Sequence, residues 1–201
     1  VELLILARHA LAASNLGDTV SGVAPGVDLA AEGEAQARAL GEALRDEPLE
    51  LCVVTELLRS RRTAELALAG RDVPIVVLPQ LNEIRFGCFE GGPLAAYREW
   101  AWHSPPDELC PGGGESRAAA AARIADGLEW LLARPERVIL AVTHALPVRY
   151  VLEAAAGRPP AARVGSVPHA EAFRLDRRQV EGAARFLRAW SRAPAFSATM
   201  D

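Results

Sequence analysis

Two rhythms of apolar and polar residues alternate along this chain. Val1-Glu-Leu-Leu-Ile-Leu-Ala7 is an almost continuous apolar run of strand length, the pattern of a strand buried on both faces. Leu51–Val54, Pro74–Leu78 and Val138–Val142 repeat that pattern. Between them, apolar residues recur every three or four positions. In Glu32–Arg45 these are Ala35, Ala39, Leu40, Ala43 and Leu44, with charge on the other face, as in an amphipathic helix. Glu56–Ala69 reads as a second helix, with Gly70 as its stop. Glu115–Ala133 and Leu146–Ala156 read as two more. Ala170–Leu175 and Ala183–Ala189 read as two antiparallel edge strands, and the last ten or so residues as loose. There is no internal repeat. Strand–helix alternation of this kind predicts the α/β class: a three-layer α/β/α sandwich with a mostly parallel central sheet, in one domain covering residues 1–201.

The rhythm breaks at Asn82–Gly114, which is rich in Gly and Pro and carries Tyr97, Trp100 and Trp102. A connection this long predicts a lid or pocket wall at about residues 84–114, with a small helix near Leu94–Trp102.

Composition narrows the function classes. With 201 residues, half of them apolar and 24% charged, the chain can bury a full core, so a disordered state is excluded. The opening run is too short to cross a bilayer and lacks the basic flank of a signal peptide, so a cytoplasmic protein is expected. A net charge of −4 argues against nucleic acid or an anionic membrane as partner. All 22 basic residues are Arg, which removes Schiff-base and P-loop lysine chemistry. Cys52, Cys88 and Cys110 are odd in number and widely spaced. They read as reduced, buried thiols, not a disulfide framework or zinc site.

In open α/β sheets, ligands bind beyond the carboxyl ends of the strands. Arg8 and His9 follow the first strand here, and Thr55 to Arg59 follow the second. Asn82 and Glu83 follow the third, and Thr143 and His144 the late one. Any one of these alone is unremarkable, since an isolated His is more often a core or surface residue. Together they suit phosphoryl transfer. Two guanidiniums can fork around phosphoryl oxygens. A neutral imidazole is a competent nucleophile, a second can donate to the phosphoryl group, and a carboxylic acid can protonate the leaving alcohol. The arginines supply the positive charge, so no metal or other cofactor is expected.

These residues carry a resemblance to the histidine phosphatase superfamily, in its phosphoglycerate-mutase-like branch. Arg8-His-Ala-Leu-Ala-Ala-Ser-Asn15 resembles the N-terminal signature of that family, and the match continues through Ser21-Gly22, Asp28-Leu29, Gly33 and Gln36-Ala37. Leu58-Arg59-Ser-Arg-Arg-Thr63-Ala64 resembles its second arginine motif. Leu81-Asn-Glu83, Phe86-Gly87 and Glu90-Gly91 resemble the central acid motif, and Gly114-Glu115-Ser116 and Val142-Thr-His144 complete the set. The resemblance implies that His9 is the nucleophile that becomes phosphohistidine. It implies that Arg8 and Arg59 clamp the phosphoryl oxygens, that His144 hydrogen-bonds to them, and that Asn15 completes the pocket. Glu83 is implied as general acid and then base, and Ser21 and Gly22 as a substrate-side loop. The sequence departs from the family pattern at Ala10 and Ala145, where Gly is usual, at Ala12, where a hydroxyl is usual, and at Phe89, where Trp is more usual.

The activity implied is a metal-independent phosphomonoesterase acting on a small phosphorylated metabolite through phosphohistidine. The alternatives are a phosphoglycerate mutase, a phosphate-ester-binding pseudo-enzyme, and a metallohydrolase built on His9 and His144. The short connection from Glu83 to Glu115 favours hydrolysis over mutase chemistry, because it closes the pocket less fully against water. Its few cations, Arg85 and Arg98, leave a second anionic group on the substrate with few partners. His103 and His169 are read as rim and turn residues, and Arg61 and Arg62 as surface. Trp100 and Trp102 are read as either packing or pocket wall. A homodimer is compatible with the sequence.

Overall fold

Strand alternation divides the side chains between two cores. The structure, a computed structural model, describes residues 1–196. Its strands are β1 (Leu3–Arg8), β2 (Leu51–Val54), β3 (Ile75–Val77), β4 (Val138–Thr143) and β5 (Ala172–Asp176). They form one sheet in the order β3-β2-β4-β1-β5, with β1 to β4 parallel and β5 antiparallel to β1. Seven helices surround it among the described residues: α1 (Ala13–Leu16), α2 (Ala31–Ala43), α3 (Leu58–Ala67), α4 (Leu94–His103), α5 (Arg117–Leu132), α6 (Ala145–Ala155) and α7 (Arg177–Arg192).

Because successive strand residues point to opposite faces, Leu4, Leu6, Val53, Ile139 and Ala141 pack in one core with α5, α6 and α7. Ile5, Ala7, Cys52, Val54, Leu140 and Val142 pack in the other, against Leu40 of α2 and Ala64 and Ala67 of α3. That is the expected three-layer α/β/α sandwich. No helix among the described residues is long and apolar enough to cross a membrane.

The C-terminal segment corrects the expectation. Ala170–Leu175 is matched by β5, but Ala183–Ala189 is the second half of α7, not a strand. The cause lies upstream, in a capping box that starts the helix. Gln179 N–H donates to Asp176 Oδ1 at 2.8 Å, and Asp176 N–H donates to Gln179 Oε1 at 2.9 Å. Val180, Ala183, Ala184, Leu187 and Trp190 then fall on one buried face at helical spacing. The chain end is also less loose than expected as far as it is described. Trp190 Nε1–H donates to the Ala195 carbonyl at 2.8 Å, and Phe196 packs 6.0 Å from the Trp190 ring. The rest of that stretch lies outside the described residues. Cys52 and Cys110 are buried as expected, whereas Cys88 is exposed.

Register sets up the functional end. Arg8 pairs with Thr143, so His9 and His144 emerge side by side, one residue beyond the ends of adjacent strands. Val53 pairs with Ala141, which brings Thr55 to the same edge.

Candidate active site

The two imidazole rings lie 5.1 Å apart, centroid to centroid, and both are buried. His9 Nδ1–H donates to the Ala10 carbonyl at 2.7 Å. That leaves Nε2 with its lone pair, which accepts from Arg59 Nε at 3.0 Å. On His144 the roles reverse. Its Nδ1 accepts from Arg59 Nη2 at 3.3 Å, and its Nε2–H donates to Thr55 Oγ1 at 2.9 Å. Burial, reinforced by Arg59, pushes both imidazoles well below their ordinary pKa, with Arg8 adding to the shift. Both are neutral at pH 7, so Nε2 of His9 keeps its lone pair available.

Arg59 joins these groups. It is only 3% exposed, and besides the two histidines it donates to the Ser21 carbonyl at 2.7 Å. Its helix is fixed by the small hydroxyl residues of its own motif. Ser60 Oγ accepts from Thr55 N–H at 3.0 Å and donates to the Val142 carbonyl at 2.6 Å. Thr63 Oγ1 donates to the Arg59 carbonyl at 2.7 Å and accepts from Ala10 N–H at 3.0 Å, locking the loop after His9 onto α3. Gly33 lets α2 approach the same loop. A Cβ there would sit 2.0 Å from the Leu11 carbonyl oxygen, while Gln36 Oε1 accepts from Leu11 N–H at 2.9 Å.

Arg8, Asn15, Ser21, Arg59 and Glu83 line one cavity of about 230 Å³ with His9. Arg8 Nη1 donates to the Val167 carbonyl at 2.7 Å, and its buried Nε has no partner in the described residues. Burial first, and then Arg59 and Arg98 against the opposing pull of Glu83, lowers its pKa to about 10, so it stays charged at pH 7. Asn15 holds the first loop, its Oδ1 accepting from Ala12 N–H at 3.0 Å. Gly22 does not line this cavity. Its N–H donates to both Glu90 carboxylate oxygens, at 2.9 and 3.0 Å, and a Cβ there would meet Phe86 at 2.6 Å.

Glu83 is half-buried, and desolvation raises its pKa, against the pull of the Ile84 N–H, Arg59, Arg8 and Arg123. A raised carboxyl is what proton donation to a leaving alcohol requires. The Glu-Ser motif serves this acid indirectly. Glu115, 3% exposed, binds Arg123 through two bonds, at 3.0 and 2.8 Å. Arg123 Nη1 in turn donates to the carbonyls of Gln80 and Asn82 at 2.9 and 3.0 Å, bracing the turn that carries Glu83. Ser116 caps α5, its Oγ accepting from Ala119 N–H at 3.0 Å.

Tyr97, Arg98 and Trp102 of the expected pocket wall line the cavity. Ser14 and Thr19 from the first loop and Arg117 from the start of α5 line it too, and the sequence reading does not include them. Arg117 directly follows the Glu-Ser pair, which is the one signal that could have pointed to it. Val164 to Val167 line the cavity as well. Trp102 lines the cavity, whereas Trp100 packs on Phe89 and Tyr97 at 5.8 and 5.9 Å. His103 is exposed as expected. His169, read as a turn residue, donates through Nδ1 to the His9 carbonyl at 2.9 Å, with its ring 5.6 Å from that of His9.

Known proteins are similar to this chain in sequence and fold. An adenosylcobalamin/α-ribazole phosphatase of Salmonella typhimurium is 44% identical over 87 residues, 43% of each chain, so the match spans less than half the length of that relative. The crystal structure of a putative α-ribazole-5′-P phosphatase from Escherichia coli superposes with a TM-score of 0.76 at 27% identity, covering 88% of this chain and 90% of that one. A Thermus thermophilus structure gives 0.68 at 35% identity, over 87% and 94%. The family profile reaches further than any of the motifs, running unbroken from the second residue of β1 almost to the end of α7. Over those residues, 4–191, the chain matches the histidine phosphatase superfamily (branch 1), and it belongs to that family.

Proposed function

We propose that this chain is a phosphomonoesterase that hydrolyses a small phosphorylated metabolite through a phosphohistidine. The observation that carries this reading is the environment of His9. Its Nδ1–H is committed to the Ala10 carbonyl, its Nε2 lone pair lies among guanidiniums, and burial keeps the ring neutral.

In the first step Nε2 of His9 attacks phosphorus. The P–O bond to the alcohol breaks, and Glu83 gives its proton to the departing oxygen. Arg8 and Arg59 hold the phosphoryl oxygens as charge shifts onto the leaving group. Arg59 must turn its Nε–H from His9 to the substrate as the lone pair is used. Asn15 and Ser21 keep the first loop and Arg59 in place. His144 can donate to a phosphoryl oxygen in its other neutral tautomer, with the proton on Nδ1 and Nε2 accepting from Thr55 Oγ1–H. In the second step Glu83 takes a proton from water, the oxygen attacks phosphorus, the P–N bond breaks, and phosphate leaves with His9 restored. No group of three or more His, Cys, Asp or Glu side chains gathers at metal-binding distance among the described residues. The names of the relatives support a phosphorylated small molecule as substrate.

The test is phosphate release from an aryl phosphate, with and without chelator. Rapid quenching should trap an acid-labile, base-stable phosphoenzyme, and His9→Ala should lower turnover by about 10⁴-fold or more with the fold retained. Near-normal turnover in that variant would end the nucleophile assignment. Interconversion of 2- and 3-phosphoglycerate faster than phosphate release would replace hydrolysis by transfer.

A further inference from the structure

We propose that the substrate carries a second anionic group on its alcohol portion, a carboxylate or a phosphate, and that Arg117 and Arg98 bind it. This rests on the phosphomonoesterase reading above and adds a selectivity to it.

Charge balance is the starting point. Four guanidiniums, Arg8, Arg59, Arg98 and Arg117, line the cavity against one carboxylate, Glu83. With Glu83 protonated as the acid and both imidazoles neutral, a phosphoryl dianion offsets two positive charges. Arg8 and Arg59, at the strand ends beside His9, are the two it meets. The charges of Arg98 and Arg117 remain.

Arg117 is the more telling of the pair. It is 6% exposed, yet its partners are neutral: Tyr150 Oη at 3.2 Å and the Ala162 carbonyl at 3.4 Å. Among the described residues its Nε has no hydrogen-bond partner, and neither has the buried hydroxyl of Tyr97, which lines the same cavity. Six residues along the same helix, Arg123, although less buried, has the counterion that Arg117 lacks, a two-bond pair with Glu115. Arg117 also occupies the first turn of α5, after the Ser116 cap, where the helix dipole disfavours a cation. A buried charge without a counterion is costly. Packing alone gives no reason to place one at that point, whereas an incoming anion does.

Arg98 extends the subsite towards solvent. It is exposed on α4 and has no ion-pair partner among the described residues. The sequence offers a second anion only Arg85 and Arg98, which argues against one; Arg85 faces the neighbouring cleft with Arg123 and Asp126, and Arg117, outside that count, lines this cavity in its place. Leu94, Trp102 and Val164, which line the same cavity, offer an apolar wall for a short carbon skeleton.

The experiment compares three esters of similar shape and leaving-group strength: 4-(carboxymethyl)phenyl, 4-(phosphonomethyl)phenyl and the uncharged 4-(carbamoylmethyl)phenyl phosphate. The wild-type enzyme should favour at least one anionic ester over the amide by about tenfold in kcat/KM, with the preference shrinking as salt rises. Whichever anion leads identifies the group. Arg117→Met and Arg98→Gln should each bring the ratio towards one, with a larger loss on the anionic ester than on the amide. Arg98 is on the surface, so its variant decides the question if Arg117→Met fails to fold. Equal rates on all three esters in the wild type, or a preference that Arg98→Gln leaves untouched, would overturn the second subsite and leave the phosphatase reading standing. No hydrolysis of any of the three would instead refute the phosphatase reading itself.

Discussion

Around His9, polar side chains hold one another in a closed network. Thr55, Ser60 and Thr63 tie β2, β4, α3 and the first loop together through hydroxyl bonds of 2.6–3.0 Å, and Arg59 spans both imidazoles. Across the cavity, the 84–114 segment is assembled differently. Phe86 and Tyr97 meet edge to face at 4.6 Å, and Phe89 and Trp100 stack alongside. Arg163 lies 4.8 Å over the ring of Trp102. Here polar atoms are left over, as at Tyr97 Oη and Arg117 Nε. Phosphoryl transfer needs atoms fixed to fractions of an ångström, which a hydrogen-bonded network provides. Aromatic packing fixes a surface and its shape, which suffices to choose a leaving group. One end of the cavity therefore sets the reaction and the other sets what is accepted.

This division can be broken at either end. Arg59→Ala should have the larger effect, lowering kcat/KM by about 10³-fold on every ester, because one side chain bonds both His9 and His144 and, in the proposed mechanism, also holds the phosphoryl group. Inhibition by vanadate should weaken in parallel. Unchanged vanadate affinity would place the phosphoryl site elsewhere.

Glu83→Gln stands between the two ends and should depend on the ester. On alkyl phosphates the loss should reach about 10²-fold, while activated aryl phosphates, whose oxygen leaves without a proton, should lose far less. The raised pKa of Glu83 sets the sign of the pH dependence. Its acid form survives to higher pH than that of an ordinary carboxyl, and alkyl-phosphate turnover should fall as pH rises through that value. The variant should lack this alkaline limb. Equal losses on both ester types would make Glu83 a structural carboxylate.

The sequence reading was strongest where a residue's environment is set by its own strand. β1 and β4 are buried on both faces, so their apolar runs are continuous and their ends mark Arg8, His9, Thr143 and His144 directly. Gly22 was read by motif and found holding Glu90 outside the cavity, because a motif does not say which of its atoms face a ligand. Arg117 and Val164 to Val167 are not legible in the sequence for another reason. Packing between α4, α5 and the loop before β5 brings them to the cavity, and no local pattern encodes that meeting. The missed half of α7 was a different error. The apolar run at Ala183–Ala189 was weighed without the Asp176–Gln179 capping box that decides its period.

The burial of His9 and His144 also couples the reaction to acid tolerance. In an unfolded chain these imidazoles bind protons near pH ~6.5, whereas in the fold both are held well below that value. Above about pH 6.5 neither state is protonated and their contribution to stability is complete. On acidification from there towards the folded values, only the unfolded chain gains protons, and stability falls by up to ~1.4 kcal/mol per pH unit for each histidine. Tm should therefore drop between pH 7 and 5.5, ahead of most carboxylate titration, and His144→Gln should flatten that drop. A wild-type Tm that stays level across the interval would mean that the folded protein also takes up those protons. The neutrality of His9 would then be lost while the fold survives, whereas a falling Tm means that the folded protein keeps its imidazoles neutral across the interval.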